Sequence, residues 1–396
     1  MRRPMADDWG LLEPLGAAAS ATSDDAVLAA LVEVERGLVR AWGDVLGDNL
    51  SAVAAALDAG ALDREALLAG ARSGGVPVIA LVEQLRAQAE AIGEGAGDRV
   101  HAGATSQDIL DSALVLVARA ALAEARGHLV IAGAALVALA AQERDTGSIA
   151  RTLGQHAEPT TIGVSVAGWL DGVSSAIEAV DGTVFPVQLG GAVGTGAAFD
   201  RIAGRAGAAA ELRAALAAEL GLADPGRAWH TERSPILRIA GTAALVATTL
   251  GRIGREVAFL ARTEIGEVAL ASTGGSSAMP HKRNPVDAVL LTANGLRAPG
   301  LIATVHAASV SQDARPPGEW HAEWQALRGL VRLALESAAA AAGLAGGLTI
   351  DRDAVARNAA MSAHLENHPA PTLAASARIV AAATERFRSL TPKDAS

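Results

Sequence analysis

Cysteine and tyrosine are absent from the 396 residues of this chain, and aromatic side chains make up only 3% of it. Without cysteine the chain forms no disulfide, no thiolate nucleophile and no cysteine-ligated metal site, and a cytoplasmic location is expected. The core must instead be filled by Ala, Leu, Val and Ile, and the chain is 51% hydrophobic, which is ample for a large core. Because Ala and Leu are strong helix formers, the composition favours an all-α fold.

Basic clusters are also missing. The formal net charge is −10, so neither nucleic acid nor an anionic membrane surface is expected as a partner. The opening MRRPMADDWG has two arginines but no apolar segment, and it does not predict a signal peptide. The apolar run 129–141 is shorter than the roughly 20 residues that a bilayer requires, so it predicts a buried helix.

Proline is missing from long parts of the chain, and these parts predict long helices. Residues 106–144 contain none, which predicts a helix of about 58 Å. Similar patterns cover about 235–271, 319–343 and 160–180, and a Ser-capped helix begins near Ser23. No strand alternation is evident, and the tail after 345 predicts two or three helices.

These helices define the expected architecture. Helices that are apolar nearly all round can hide their surface only by packing side by side and against other subunits. We therefore expect an all-α, long-helix bundle that oligomerises, with small flanking helical domains. The expected boundaries are an N-terminal helical domain (1–100), the central bundle (101–344) and a short C-terminal helical segment (345–396).

One loop differs from its apolar surroundings. The sequence GGSSAMPHKRNP (274–285) lies between two predicted helices and carries Ser276, Lys282 and Asn284. The glycines allow the loop to swing, and the hydroxyl, ammonium and amide groups are suited to holding a carboxylate and moving a proton on a neighbouring carbon. A solvated basic patch in an ordinary helix connection is the alternative. The scarcity of lysine favours function, because only Lys282 and Lys393 are lysines and ammonium is not interchangeable with guanidinium.

Three segments carry a resemblance to a known family. The loop GSSAMPHKRNP is similar to the signature loop of the fumarase/aspartase superfamily. HAGATSQDILDSA (101–113) and RTLGQHAEPTTIG (151–163) resemble its other two shared regions, in the same order. The resemblance implies reversible β-elimination next to a carboxylate. It also implies a homotetramer in which three chains build each active site.

The resemblance also implies roles for individual residues. A base removes the proton on the carbon next to a carboxylate, and the resulting aci-carboxylate expels a group from the β carbon. Ser276 would be the base or acid, His156 the second acid/base or an anchor, and the substrate-binding residues would be His101, Thr105, Ser106, Gln155, Lys282, Asn284 and Arg315. A serine is a poor base unless nearby positive charge activates it.

Local structural explanations exist for some of these residues. His156 alone could cap a helix, and Thr105–Ser106 could be an ordinary N-cap, although a helix N-terminus also attracts anions. The glycine-rich stretch LGGAVGTGAAF (189–199) does not fit the dinucleotide pattern and predicts a turn near the site.

Residues outside the shared regions bear on the substrate. WHTERSPILRIAGTAAL (229–245) and GEWHAEWQALRGL (318–330) resemble 3-carboxy-cis,cis-muconate cycloisomerases. Adenylosuccinate lyases are the alternative, but they carry a glutamate shortly after the loop where this chain has Val289. Glu158 or another acid would have to replace it.

The implied reaction is lactone closure of 3-carboxymuconate in protocatechuate breakdown, with no metal or organic cofactor. The substrate is a small polycarboxylate, so local positive charge is needed. The candidates are Lys282, Arg283, Arg315, Arg151 and the histidines. A crystallin-like structural oligomer is the non-enzyme alternative, and another fumarate-releasing lyase is the enzymatic one. The C-terminal segment, of about 50 residues, is shorter than the resemblance would imply.

Overall fold

The computed structural model describes residue 12, residues 14–16, 20–271, 274, 275, 279, 282–362 and 369–392. Nearly all regular structure in these residues is helical, which confirms the all-α prediction. The helices are α1 (Asp24–Leu46), α2 (Ser51–Ala56), α3 (Arg64–Gly74), α4 (Val78–Glu90), α5 (Ser106–Gln142), α6 (Ile162–Asp181), α7 (Ala197–Ala203), α8 (Ala208–Leu220), α9 (Ser234–Leu260), α10 (Val286–Ser309), α11 (Glu319–Gly346), α12 (Arg352–Ala360) and α13 (Pro369–Leu390).

Five long helices, α5, α6, α9, α10 and α11, form the central bundle. Helices α5, α9 and α11 all start at one end. There Arg233, which precedes α9, forms ion pairs with Asp111 in α5 and with Glu323 in α11. Helices α6 and α10 run in the opposite direction. We call the end at which α5 starts the Thr105 end. We call the opposite end the hairpin end, because residues 147–161 form a β-hairpin there. Because α5 has 37 residues, these ends are about 55 Å apart.

The predicted helix boundaries are mostly correct. The helix expected at residues 106–144 is α5, and Ser23 caps α1 by accepting a hydrogen bond from the backbone of Ala26. The helix expected to reach residue 271 is wrong at its C-terminus, since α9 ends at Leu260. Beyond that end, Gly266 adopts a left-handed φ of 63° and its N–H donates to the carbonyl of Arg262, which closes a turn before the next segment.

The expected absence of strands is also wrong. Two antiparallel pairs are present, β1 (Gly147–Thr152) with β2 (Gln155–Thr161), and β3 (Val268–Leu270) with β4 (Leu348–Ile350). The first pair turns through Leu153 and Gly154, both with positive φ. This is the geometry that a two-residue hairpin favours. Leucine is an unusual residue for such a turn, so no local pattern in the sequence predicts it.

Helices α9 and α10 pack at the distance that glycine permits. A Cβ at Gly251 would lie 2.7 Å from the Cα of Gly295, so the two backbones can approach this closely only because neither residue has a side chain. We expect Gly251→Ala to lower the free energy of unfolding by about 1–3 kcal/mol through overpacking. Gly241→Ala on the same helix meets nothing within 4 Å and should be neutral or stabilising by up to about 1 kcal/mol. Urea unfolding of both variants measures this, and equal effects would contradict the close crossing.

A carboxylate near the start of α9 should make stability depend on pH. Hydrogen bonds from the Ser234 side chain and backbone, together with the Arg227 guanidinium, lower the pKa of Glu232 from 4.5 to about 2. A lowered folded pKa gives stability that is present above pH 4.5 and is lost as the pH falls towards 2. Because Glu232 is exposed, we expect only about 1 kcal/mol. Glu232→Gln should remove this amount at neutral pH and flatten the acid side of the stability profile. Unchanged acid sensitivity would contradict the assignment.

Four of the bundle helices, α5, α9, α10 and α11, are by length and composition alone apolar enough to cross a membrane. In their most apolar windows between 28% (α10) and 56% (α9 and α11) of the residues are buried within the chain. Much apolar surface, especially on α10, is therefore left uncovered by a single copy. Val289 and Leu296 on this helix are 51% and 72% exposed.

Candidate active site

Asp108 organises the Thr105 end of the bundle. This fully buried carboxylate accepts hydrogen bonds from the backbone N–H groups of Thr105 at 3.0 Å and of Gly190 and Gly191 at 2.9 Å each. Its fourth partner is Nε2 of His230, at 2.8 Å. One side chain thus joins the start of α5, the glycine-rich turn and the segment before α9.

Arg315 lies over the start of α5. Its guanidinium donates to Oγ1 of Thr105 at 2.9 Å, to Oε1 of Gln107 at 3.1 Å and to the carbonyl of Ala192 at 3.3 Å. These acceptors are all neutral, and none of the acidic side chains in the described residues forms an ion pair with Arg315. An arginine with no acidic partner, beside the N-terminus of a 37-residue helix, produces a positive potential suited to a carboxylate. The turn predicted at residues 189–199 does adjoin the predicted site.

A buried ionic cluster lies next to this site, within the bundle. The guanidinium of Arg233 donates to Asp111 at 2.7 Å and to Glu323, and it stacks on Trp229 at 4.9 Å. Burial opposes its charge, yet Asp111 and Glu323 hold the pKa of Arg233 above its ordinary value. Burial and the charge of Asp111 raise the pKa of Glu323, although Arg233 opposes the shift. Gln107 donates to Asp111 at 3.2 Å, so the cluster also orients the partner of Arg315.

His101 is held by a second buried carboxylate. Its Nδ1 lies 2.7 Å from Oε1 of Glu35, which projects from α1 and is fully buried. The His101 side chain itself is 15% exposed. The predicted site residues His101, Thr105, Ser106 and Arg315 therefore cluster at the Thr105 end.

His156 lies at the other end of the bundle. It is on strand β2, so the possibility that it caps a helix is ruled out. Its Nδ1 is 2.6 Å from Oγ of Ser362, a hydroxyl and not the carboxylate that adenylosuccinate lyases supply. Val289, at the position of that carboxylate, is 51% exposed. The neighbouring Gln155 is exposed, and its side-chain amide donates to the carbonyl of Gly154.

Arg151 was a candidate for the positive charge at the site, and the structure gives it a structural role instead. Its guanidinium is paired with Glu267 at 3.0 Å, and Glu267 is 1% exposed. Asn358 donates to the same carboxylate at 2.7 Å. The ion pair neutralises Arg151 and ties the hairpin to the end of α9 and to α12.

The signature loop also leaves the bundle at the hairpin end. Its neck is closed by paired backbone hydrogen bonds between Gly274 and Asn284 at 2.9 Å, and the Asn284 amide donates to the carbonyl of Gly275 at 3.1 Å. A Cβ at Gly274 would lie 2.2 Å from Val286, so glycine is needed there. Lys282 is exposed. Ser276 lies outside the described residues.

Within one chain the predicted site residues therefore form two groups. His101, Thr105, Ser106 and Arg315 lie at the Thr105 end, whereas Gln155, His156, Lys282 and Asn284 lie at the hairpin end. The length of α5 separates the two groups, and no small molecule spans about 55 Å. Within the part of the chain that the structure describes, no group of three or more His, Cys, Asp or Glu side chains is arranged to hold a metal ion.

Several residues that organise the Thr105 end were not predicted from the sequence, among them Glu35, Asp108 and His230. Asp108 had a detectable signal, because an acidic residue three positions after Thr105 completes a capping box. Glu35 and His230 had none, since their partners lie 66 and 122 residues away in the sequence.

Comparison with known proteins agrees with this architecture. A family model described as lyase matches residues 50–300. A nitrosuccinate lyase of Streptomyces davaonensis is 43% identical over 364 residues, 89% of this chain and 77% of that protein. A 3-carboxy-cis,cis-muconate cycloisomerase of Pseudomonas aeruginosa is 41% identical over 286 residues, 71% of this chain and 61% of that protein.

Solved structures give the same picture. The crystal structure of 3-carboxy-cis,cis-muconate lactonizing enzyme from Pseudomonas putida superposes with a TM-score of 0.83 at 30% identity, covering 95% of this chain and 97% of that chain. The matches to the curated cycloisomerases span less than two thirds of their lengths. The family match, the extent of the identity and the shared fold together show that the chain belongs to the lyase family, within the fumarase/aspartase superfamily.

Proposed function

We propose that this chain is an enzyme for reversible β-elimination from a small polycarboxylate. The observation that carries the proposal is Arg315, which has no acidic partner among the described residues and lies against Thr105 at the start of α5. A carboxylate placed there meets a guanidinium, a hydroxyl and a helix N-terminus. Lys282 and Asn284, on the loop of another copy, would hold a second carboxylate.

The chemistry follows from these groups. Ser276 removes the proton from the carbon next to the carboxylate, and the electron pair moves into that carboxylate to give an aci-carboxylate. The positive charge of Lys282 and the hydrogen-bond donors stabilise this dianion. The electron pair then returns to form the double bond as the bond from the β carbon to the leaving group breaks. Lactone closure is this sequence in reverse, with a carboxylate oxygen of the substrate adding to the double bond.

The first candidate substrate is 3-carboxy-cis,cis-muconate, closing to 4-carboxymuconolactone. Four curated relatives, which are 35–41% identical to this chain, and two solved structures carry this activity in their names and support it. The partner of His156 argues against adenylosuccinate, because His156 contacts the hydroxyl of Ser362 and the position of the glutamate of adenylosuccinate lyases is occupied by Val289. Intramolecular addition leaves the enzyme mainly to position the substrate and stabilise charge.

The second candidate is nitrosuccinate, favoured by the 43% identical relative that covers 89% of the chain. Loss of a proton from one carbon and of nitrite from the next would give a dicarboxylate with a new double bond. The same two anion-binding groups would serve both candidates, since each substrate carries carboxylates at its two ends.

The functional unit in this proposal is a homotetramer, in the cytoplasm, with each site drawn from three copies. The separation of the two residue groups along α5 supports shared sites. The exposed apolar face of α10 supports association, because large uncovered apolar patches mark interfaces.

A side-by-side assay tests the proposal. Purified protein is incubated with 3-carboxymuconate, nitrosuccinate and adenylosuccinate. Loss of the conjugated ultraviolet absorbance reports lactone closure, and nitrite release reports the second reaction. Turnover of 3-carboxymuconate alone supports the first candidate. Nitrite release without lactone closure replaces it with the second. Turnover of adenylosuccinate alone would reject both candidate substrates. Turnover of none of the three compounds would reject the proposal and favour the structural oligomer.

A further inference from the structure

We infer that Glu35 is a positioning residue for the proposed reaction, acting through His101. It fixes the imidazole so that Nδ1 is committed to the Glu35 carboxylate and Nε2 is presented to the substrate. The inference deepens the proposed function and rests on it. Three features of the Thr105 end carry the argument.

The first feature is the location of Glu35 on α1. It is 0% exposed, on a helix face that otherwise buries Leu31, Leu38 and Trp42. A buried carboxylate normally needs several hydrogen-bond donors, because desolvation of the charge is costly. Among the residues that the structure describes, Glu35 has one donor, the His101 ring, and its Oε2 is buried with no partner. Glu35 is therefore not placed there for stability, since an apolar residue would fill the same face at lower cost.

The second feature is the backbone of His101. Its φ is 61°, in the left-handed region that non-glycine residues rarely occupy. Neighbouring contacts hold this conformation. Trp42 Nε1 donates to the carbonyl of Ala102 at 3.0 Å, and Arg86 donates to the carbonyl of Val100 at 3.3 Å. Strain that the surroundings maintain is typical of functional positions.

The third feature is Nε2 of His101, the ring nitrogen that does not contact Glu35. Nε2 of His101 has no hydrogen-bond partner among the described residues, and the side chain remains 15% exposed. His101 is four positions before Thr105, whose hydroxyl accepts from Arg315. A carboxylate on one nitrogen of a histidine sets the tautomer, orients the ring and stabilises the positive charge that forms when the other nitrogen takes a proton. Glu35 therefore determines which nitrogen meets the substrate and supports a proton there.

A set of four variants tests this role by kinetics: Glu35→Leu, Glu35→Gln, His101→Gln and the double variant Glu35→Leu/His101→Gln. We expect Glu35→Leu to lower kcat/KM by about 10- to 100-fold, the loss typical when the hydrogen-bond partner of a metal-ligating histidine is removed, because the ring loses its fixed orientation in the same way. The midpoint of thermal unfolding should stay equal or rise, because a half-satisfied buried carboxylate is replaced by an apolar side chain. Glu35→Gln keeps an acceptor for Nδ1 and should lose less.

The double variant distinguishes positioning from packing. If Glu35 acts through His101, the double variant is no slower than His101→Gln alone. Losses that multiply, or a fall in the unfolding midpoint that matches the fall in activity, would overturn the inference. Glu336→Leu, at another buried glutamate on α11, is the matched control and should leave kcat/KM unchanged.

A measurement without substrate separates this inference from the proposed function. Nitrogen-15 NMR of histidine-labelled protein at alkaline pH reports the tautomer of each ring, and the His101→Gln variant assigns the signal. We expect Nδ1 of His101 to carry the proton in the wild type and a mixture of tautomers in Glu35→Leu. A proton on Nε2 in the wild type, or an unchanged spectrum in Glu35→Leu, would reject the role of Glu35 even if the enzyme is active. The expected spectra with no turnover would reject only the proposed function.

Discussion

Two inactive variants are expected to restore each other's activity when they are mixed. Arg315→Ala removes the proposed carboxylate-binding cation at the Thr105 end, and Lys282→Ala removes the one at the hairpin end. About 55 Å of helix α5 lies between these ends, so an active site that uses both can form only between copies. After joint unfolding and refolding of equal amounts, about one quarter of the sites should draw both intact halves from different chains. Activity should rise from near zero towards about one quarter of the wild-type value.

The matched control is a mixture of two variants at the same end, Arg315→Ala with Thr105→Ala. Their side chains contact each other within one chain at 2.9 Å, so no arrangement of copies supplies an intact Thr105 end. This mixture should stay inactive. Equal recovery in both mixtures, or none in the first although size-exclusion chromatography shows mixed oligomers, would contradict sites shared between copies.

Replacing Ser276 with alanine is expected to remove nearly all of the activity. If this hydroxyl exchanges the proton, kcat should fall by about 10²- to 10⁴-fold, the usual contribution of general acid–base catalysis. Substrate affinity should change little, because Arg315, Lys282 and Asn284 keep their places. Steady-state kinetics with the substrate identified by the side-by-side assay measures the effect.

Ser277→Ala is the control for this prediction, since it removes a neighbouring hydroxyl from the same loop and should keep most of the activity. Size-exclusion chromatography should show that both variants assemble as the wild type does. A Ser276→Ala enzyme with a near-normal rate would remove this residue from the mechanism, and loss of assembly would show that its role is structural.

The long helices could be predicted from the sequence because their signals are local. Residues 106–142 have no proline and strong helix formers throughout, and Ser23 provides a cap within three residues of its partner. The hairpin and the early end of α9 had no such signal. Leu153 in a two-residue turn and Gly266 after α9 depend on backbone conformations that composition does not reveal.

The chemistry of the site was partly readable for the same reason. The loop at residues 274–285 and the other two shared regions were identified from contiguous residues, and the family match confirms the resemblance. The sequence did not indicate whether a given charged side chain is free to bind substrate. Arg151 and Arg315 are both arginines in a predicted site, yet Glu267, 116 residues away from Arg151, neutralises only the first.

The all-α architecture, the lyase family and the residue types of the proposed chemistry could be inferred from contiguous residues, because helix propensity and motifs are properties of neighbouring residues. The contact between His101 and Glu35, the contact between His156 and Ser362, and the division of the predicted site between two ends of the bundle became evident only in the folded chain. Such pairings follow from packing between segments that are far apart in the chain, and a single sequence carries no direct record of which segments meet.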